Sequence, residues 1–306
     1  MADSEREFAR WLQAAAPLPE SAGVGFGIGD DMAAIHRPGD LLLVSSDLML
    51  EGVHFDLAEH SLTAVGRKAA GCALSDCAAM AVEPLAATVS LAWPRDRDFA
   101  GARALMGGLI DALARFDCAL VGGDTTGWPH GLAVDVNVLA RPYPGIEPVR
   151  RDGARAGDGI FVTGPLGGSI AGKHLDFVPR IAEARALATA LGPRLHALID
   201  ITDGLAIDCD RVIEASGVGA VLDAEAVMAV ASQAARALAN DDTALREQVL
   251  RDGEDFELLV FSACEPAEAE ALGLFGVGDV VASRGLRLRD ADGNETPLSA
   301  QGYEHF

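Results

Sequence analysis

Five times along this chain a short apolar run borders an aspartate set beside glycine, serine or threonine. The segments are Gly29-Asp30-Asp31, Ser46-Asp47, Ser75-Asp76, Gly123-Asp124-Thr125 and Asp200-Ile201-Thr202-Asp203-Gly204. A fold that buries the apolar runs must gather these acids where strands and helices end. Carboxylates gathered there are natural ligands for hard cations, and several together can hold the metals that make a polyphosphate bindable. Each motif taken singly reads more readily as a turn or helix cap. Their recurrence is what points to a site, and the adjacent Asp30 and Asp31 repel each other unless a cation lies between them.

The 306 residues exceed one typical domain, and two packed α/β domains are expected. Half the residues are hydrophobic, aromatics are few, and 34 are glycine, so Ala and Val fill most of the core. Lys and Arg total 24 against 46 Asp and Glu, a formal charge of −22. Such a surface repels nucleic acid and anionic membrane, so neither is expected as a partner. A protein this acidic that handled phosphates would bring cations with it. The five cysteines, Cys72, Cys77, Cys118, Cys209 and Cys264, form no CxxC pair and read as buried thiols in a reducing cytoplasm. Residues 5–16 read as a charged amphipathic helix, not a signal peptide, and no apolar stretch is long enough to span a bilayer.

Met32–His36 and Leu41–Ser46 flank Arg37-Pro38-Gly39-Asp40 as a β-hairpin. Residues 61–82 and 97–116 read as helices. Residues 85–93 read as a strand, 119–122 as a short buried strand, and the alternation across 132–139 as a half-exposed strand. The Pro- and Gly-rich stretch at 141–145 marks a boundary, giving domains 1–142 and 143–306. Beyond it, 159–163 and 256–261 read as strands, and 181–191 and 205–215 as helices. Gly25-Phe26-Gly27-Ile28-Gly29 lacks the following helix of a dinucleotide fingerprint, and no GxxxxGK[ST] occurs, so ATP chemistry here would not use a Walker loop. Alone, His54 reads as a structural histidine and Arg150-Arg151 as a solvated pair. A phosphate contact is the alternative for each.

In order along the chain, these motifs resemble thiamine-monophosphate kinase. The likeness takes in Glu51-Gly52-Val53-His54-Phe55, residues 74–80, Gly122-Gly123-Asp124-Thr125, residues 151–158, residues 200–205, Gly253-Glu254-Asp255-Phe256-Glu257-Leu258 and the closing Gly302-Tyr303-Glu304-His305-Phe306. The aspartate motifs belong to the wider aminoimidazole ribonucleotide synthetase-like superfamily. The segment 51–55 and the aromatic end point to the thiamine enzyme. In two of the departures, Thr202 keeps the hydroxyl of the usual serine and Phe256 loses that of the usual tyrosine. Ala81, where glycine is common, is a third.

The resemblance implies a two-domain α/β (α+β) fold with the N-terminal domains paired in a homodimer. It also implies ATP-dependent conversion of thiamine monophosphate to thiamine diphosphate with several Mg²⁺ ions. By motif position, Asp30, Ser45, Ser46, Asp47, Asp76, Asp124, Asp200 and Asp203 would bind metal. Gly123, Asp124, Arg151 and Thr202 would meet ATP, and His54, Glu254 and Phe306 would meet thiamine monophosphate. The acceptor phosphate is already ionised at neutral pH, so no general base is assigned, and direct in-line transfer is expected. Two alternatives stay open: another ATP-dependent member of the superfamily with a different acceptor, and a non-catalytic, metal-dependent nucleotide-binding module.

Overall fold

A computed structural model describes Ala15, Val24–Phe26, and residues 30–37 and 40–303. Most of the amphipathic segment 5–16, the glycines at 27 and 29, and Phe306 lie outside the described residues. Two sheets carry the architecture. The first has the order β1-β2-β3-β6-β4-β5, from strands β1 (Val24–Phe26), β2 (Ala33–Arg37), β3 (Asp40–Leu50), β4 (Val82–Pro94), β5 (Ala119–Trp128) and β6 (Ala133–Pro142). The second has the order β13-β12-β9-β11-β7-β10-β8. Its strands are β7 (Gly159–Val162), β8 (Leu195–Asp200), β9 (Gly219–Asp223), β10 (Leu258–Ser262), β11 (Phe275–Val281), β12 (Gly285–Arg289) and β13 (Glu295–Pro297).

The expected hairpin is present, with Ala33 opposite Val44. Its second strand runs on to Leu50, however, which places Ser46-Asp47 inside β3 and not at its end. Asp76 likewise lies within a helix and Asp124 within a strand, so only Asp200 among these acids closes the element that carries it. The expected short buried strand at 119–122 is instead the edge strand β5. It pairs with β4 alone and is exposed along almost all of its length. An edge strand whose second half is glycine, threonine and aspartate has little to bury, and position overrides the apolar start. The expected strand at 256–261 begins at Leu258, because Phe256 takes a φ of +50° that no strand accommodates.

Helix α1 (Leu62–Ala79) is capped by Ser61, whose side chain accepts from the Ala64 N–H, and α2 (Phe99–Ala114) by Asp98, which accepts from Gly101. The two cross closely because each offers a glycine to the other. A Cβ on Gly66 would lie 2.0 Å from the Leu105 carbonyl oxygen, and one on Gly108 would lie 2.1 Å from that of Thr63. With both helices seated, Leu74, Leu105 and Leu109 are fully buried beneath β3, β4 and β6. Burial of each such side chain contributes roughly 1.5–3 kcal/mol.

In the second sheet β10 is buried on both faces. Leu258 and Val260 join the core that holds α1 and α3 (Ile181–Leu191), whereas Leu259 and Phe261 join a second core beneath α4 (Leu205–Ser216). A strand covered on both sides reads as an unbroken apolar run, as Leu-Leu-Val-Phe does here. The first core therefore spans residues of both sheets, and α1 stands where the two halves of the chain meet.

Candidate active site

Where the halves meet there is a cavity of about 500 Å³. Its wall takes Asp31 from the turn before β2, Ser46, Asp47 and Met49 from β3, His54 from the next turn, and Cys72 and Asp76 from α1. From the C-terminal half come Ser169 and Ile170, Thr202 and Asp203, the segment Asp252-Gly253-Glu254 with Phe256, and Tyr303.

Asp31, Asp76 and Asp200 each offer a carboxylate oxygen, and these three atoms lie within 4.8 Å of one another. Three segments far apart in sequence thus converge on one point. Burial, followed by the charges of Asp200, Asp47 and Asp31, pushes the Asp76 carboxyl well above the usual range. Burial and the neighbouring Asp31 raise Asp200 to about 8, opposed by a hydrogen bond from Ser75. Asp47 is raised to about 6 by burial and then by Asp135, with Lys68 pulling it down. Asp31 Oδ2 is buried with no hydrogen-bond partner among the described residues. Crowded, buried carboxylates and an orphaned oxygen form an all-oxygen donor set, which fits Mg²⁺.

Arginine meets part of this negative charge. Arg151 Nη2 lies 2.5 Å from Asp31 Oδ1 and its Nε 3.5 Å from Asp30 Oδ1. Asp30 also accepts from the backbone N–H of Asp31 at 2.9 Å and of Arg151 at 3.3 Å, and burial with the adjacent Asp31 raises it to about 6. Of the adjacent pair, then, Asp31 both joins the three-carboxylate cluster and holds the Arg151 guanidinium most closely, whereas Asp30 accepts from the Arg151 backbone and meets its side chain at longer range. The Arg150 side chain stays 40% exposed, paired with Asp152 and with its guanidinium carbon 4.6 Å from the Phe26 ring centroid.

The loop after β8 is held from within. Asp208, fully buried on α4, accepts through Oδ2 from three successive backbone N–H groups: Thr202 at 3.0 Å, Asp203 at 3.1 Å and Gly204 at 3.2 Å. Arg211 Nη1 ties Asp208 Oδ1 to Asp203 Oδ2, at 2.6 and 2.5 Å. Thr202 in turn accepts at its carbonyl from the Glu254 N–H at 2.6 Å, and Ile201 from the Phe256 N–H at 2.9 Å. These bonds hold Glu254 and Phe256 at φ +62° and +50°. Non-glycine residues in the left-handed region cost of order 1–3 kcal/mol each and persist where their surroundings fix them, commonly at functional sites.

His54 accepts the Leu50 N–H at Nδ1 (3.0 Å), which puts the ring proton of its neutral form on Nε2. Glu254 is gripped by Lys68 and His174. Burial raises its carboxyl, but the hydrogen bonds and charges of those two residues outweigh burial and leave it below the ordinary value of 4.5.

The expected residues thus divide. Asp47, Asp76, Asp203, Ser46, Thr202, His54 and Glu254 line the cavity, and Asp200 reaches its carboxylate cluster. Ser45, on β3, lies close enough to Asp76 to lower its carboxyl against burial, yet its own Oγ is buried with no hydrogen-bond partner among the described residues. Gly123 and Asp124 are not on this wall. Asp124 is in register with Ser90 and through it with Asp135, one row on from the row of Asp47, Val136, Val89 and Gly123. It therefore faces the opposite side of the sheet from Asp47. Ser46 sends its hydroxyl to Asp135 Oδ1 at 2.7 Å on that same side. Lys68, His174 and Asp208 carry no motif in the sequence, and Asp31, named beside Asp30, is not among the expected metal ligands. Lys68 did carry a signal, since it stands one and two turns before Cys72 and Ser75 on one face of an otherwise small and apolar helix.

Comparison with known proteins places this geometry. The model of the AIR synthase related protein N-terminal domain matches residues 29–141. Over 297 residues the chain is 36% identical to the thiamine-monophosphate kinase of Rhodopirellula baltica, covering 92% of each chain. The fold superposes on AaThiL complexed with AMPPCP and TMP with a TM-score of 0.83, at 26% identity, covering 99% of this chain and 97% of the other. It superposes on the thiamine-monophosphate kinase of Stenotrophomonas maltophilia K279a with a TM-score of 0.71 at 28% identity, covering 95% and 96%.

Proposed function

The chain belongs to the thiamine-monophosphate kinase family, and we propose that the cavity between its two sheets is where it carries the γ-phosphoryl group of ATP to thiamine monophosphate. The products are thiamine diphosphate and ADP. The observation that carries the site assignment is the convergence of Asp31, Asp76 and Asp200 within 4.8 Å beside a cavity large enough for a small substrate.

Several Mg²⁺ ions, held by Asp31, Asp76 and Asp200 with Asp47 and Asp203 nearby and Asp30, Ser45, Ser46 and Asp124 as further candidates, would neutralise the phosphates and align them when bound. Arg151, freed from Asp31, would take an ATP phosphate as a planar fork, and Thr202 and Gly123 would meet the nucleotide. His54 would donate from Nε2 to thiamine monophosphate, Glu254 would accept from it, and Phe306 would lie against its cationic thiazolium ring. The attacking oxygen belongs to an ionised phosphate, so no residue need take a proton from it, and transfer is direct and in line, without a phosphoenzyme.

The domains are 1–142 and 143–306, a division supported by each half contributing its own sheet. The functional unit is a homodimer joined through the first sheet. Leu48, 53% exposed on the face turned from α1, and Val121, 62% exposed on edge strand β5, support that surface. Among the described residues no helix is long and apolar enough to cross a membrane. The five buried thiols support a reducing, cytoplasmic setting.

The test is release of ADP from ATP and Mg²⁺ with and without thiamine monophosphate, with the product identified by chromatography. Release that depends on thiamine monophosphate and yields thiamine diphosphate is expected. ATP binding with no response to thiamine monophosphate would move the chain to a different acceptor within the superfamily.

A further inference from the structure

Lys68 is the largest fully buried side chain that carries a charge, 1% exposed in the middle of α1. Its ammonium group donates to the His54 carbonyl at 2.7 Å and to Glu254 Oε1 at 2.5 Å, and lies 3.2 Å from His174 Nδ1. A His174 Nδ1 that donates to Glu254 cannot accept from Lys68, so the ammonium group is held by two oxygen acceptors, one from each half of the chain. His174, also 1% exposed, lies with Nδ1 3.3 Å from Glu254 Oε2, and its ring is braced edge-on by His60 at 5.4 Å. The Glu254 side chain keeps 27% of its surface, and the residue lines the cavity. A carboxylate has about four lone-pair sites, so Lys68 and His174 behind it leave others to face the cavity.

Burying an ammonium group costs several kcal/mol unless its partners are well placed, and in a helix of alanine, glycine, cysteine and leucine a methionine would fill the space without that cost. Lys68 also joins the two halves of the chain, because Glu254 and His174 come from the C-terminal half and His54 from the N-terminal one. We propose that Lys68, braced by His174, is a positioning residue for acceptor recognition, which locks Glu254 as a preset anionic hydrogen-bond acceptor for the cationic, amine-bearing heterocycle of thiamine monophosphate. The proposal rests on the reading of this cavity as the thiamine monophosphate site. In that reading Lys68 touches neither substrate nor metal and acts through Glu254 alone. A residue that acted only through the His54 turn would lose affinity independently of Glu254, so its loss would add to that of Glu254→Gln.

The test compares Lys68→Met, Lys68→Arg, Glu254→Gln and the double variant Lys68→Met/Glu254→Gln. Steady-state kinetics are measured in each substrate, and thiamine monophosphate binding by calorimetry. Lys68→Met is expected to raise the KM for thiamine monophosphate about 10–100-fold, the value of a hydrogen bond to a charged group, and to leave that for ATP within about twofold. Lys68→Arg recovers part of the loss, and the double variant is no worse than Glu254→Gln. Equal rises in both KM values, or a double variant that sums the two losses, would overturn the proposal. Lys68→Gln, which keeps a donor in the same seat, carries the comparison if Lys68→Met does not fold. Should the unaltered protein fail to bind thiamine monophosphate, the kinase reading falls, and the ligand-free crystal structure of Lys68→Met decides the role of Lys68. A Glu254 carboxylate turned from its place upholds the lock, and one that stays put overturns it.

Discussion

Ser75 Oγ donates a 2.5 Å hydrogen bond to Asp200 Oδ2, joining α1 to the end of β8 across 125 positions of sequence. The bond is buried and lowers the Asp200 pKa against the burial that raises it. It thereby favours the ionised carboxylate that a cation would need. Ser75→Ala should raise the Mg²⁺ concentration for half-maximal rate at neutral pH about tenfold, for a bond worth roughly 1.5–3 kcal/mol. Metal titration of the rate at saturating ATP checks this, and an unchanged midpoint would show that Ser75 only packs there.

The crowded acids set the pH dependence of stability. Asp30 and Asp47 are raised to about 6, Asp200 to about 8, and Asp76 well above its ordinary value of 3.8. A raised carboxyl holds its proton in the folded chain after the unfolded chain has released it. Its contribution is therefore complete below about pH 4 and lost as pH climbs through 6 to 8. Glu254 and Glu257 are lowered, so their contribution is present above 4.5 and fades only in more acid solution. Between pH 5 and 8 the metal-free protein should melt at progressively lower temperature. Added Mg²⁺ should raise the melting temperature more at pH 8 than at pH 5. Thermal melts with chelator and with Mg²⁺ decide it, and a metal-free profile that rises with pH would count against the cluster.

Replacing one of these acids should separate stability from activity. Asp76→Asn keeps the size of the side chain and removes a buried ionisable group that faces Asp200, Asp47 and Asp31. The metal-free variant should melt higher than the parent, gain less from Mg²⁺, and turn over at least about 100-fold more slowly. A lower metal-free melting temperature together with full activity would remove Asp76 from the site.

The α1–α2 crossing leaves no room for a methyl group. Gly66→Ala would put a Cβ 2.0 Å from a backbone oxygen and must push the helices apart, at a cost of about 1–3 kcal/mol or more. Chemical denaturation measures it directly. An unchanged midpoint would mean that α2 shifts freely over α1.

Much of this was legible in the chain itself. The β2–β3 hairpin, α1, α2, α3 and α4 followed from composition and the turn residues between apolar runs, and the structure adds Ser61 and Asp98 as the caps of the first two helices. The recurring aspartates marked the region of the cavity. What was not legible depends on direction. Asp30 and Asp31 are chemically identical neighbours, and only the path of the turn sends Asp31 toward Asp76 and leaves Asp30 accepting from the backbone N–H groups of Asp31 and Arg151. Asp124 shares the sequence signature of Asp47, but the pleat and its place on an edge strand carry it to the other face. Lys68 shares a helix face with Cys72 and Ser75, but nothing local says that the fold buries Lys68 and leaves its neighbour Arg67 partly exposed. His174 and Asp208 act on segments 80 and 4–6 positions away, through contacts that no local pattern announces.

Lys68 and Asp76 sit on the same helix, one behind Glu254 and the other at the carboxylate cluster. The eight steps from 68 to 76 at about 1.5 Å each make a rod of roughly 12 Å whose length is set by backbone hydrogen bonds and not by side chains. In the proposed reading, an acceptor anchored by its ring at Glu254 would be measured against a fixed gauge. Thiamine without its phosphate would seat its ring equally well and end short of the reacting phosphorus. Selection for the monophosphate would then be a matter of helical pitch, and a relative adapted to a longer or shorter acceptor would have to add or lose part of a turn.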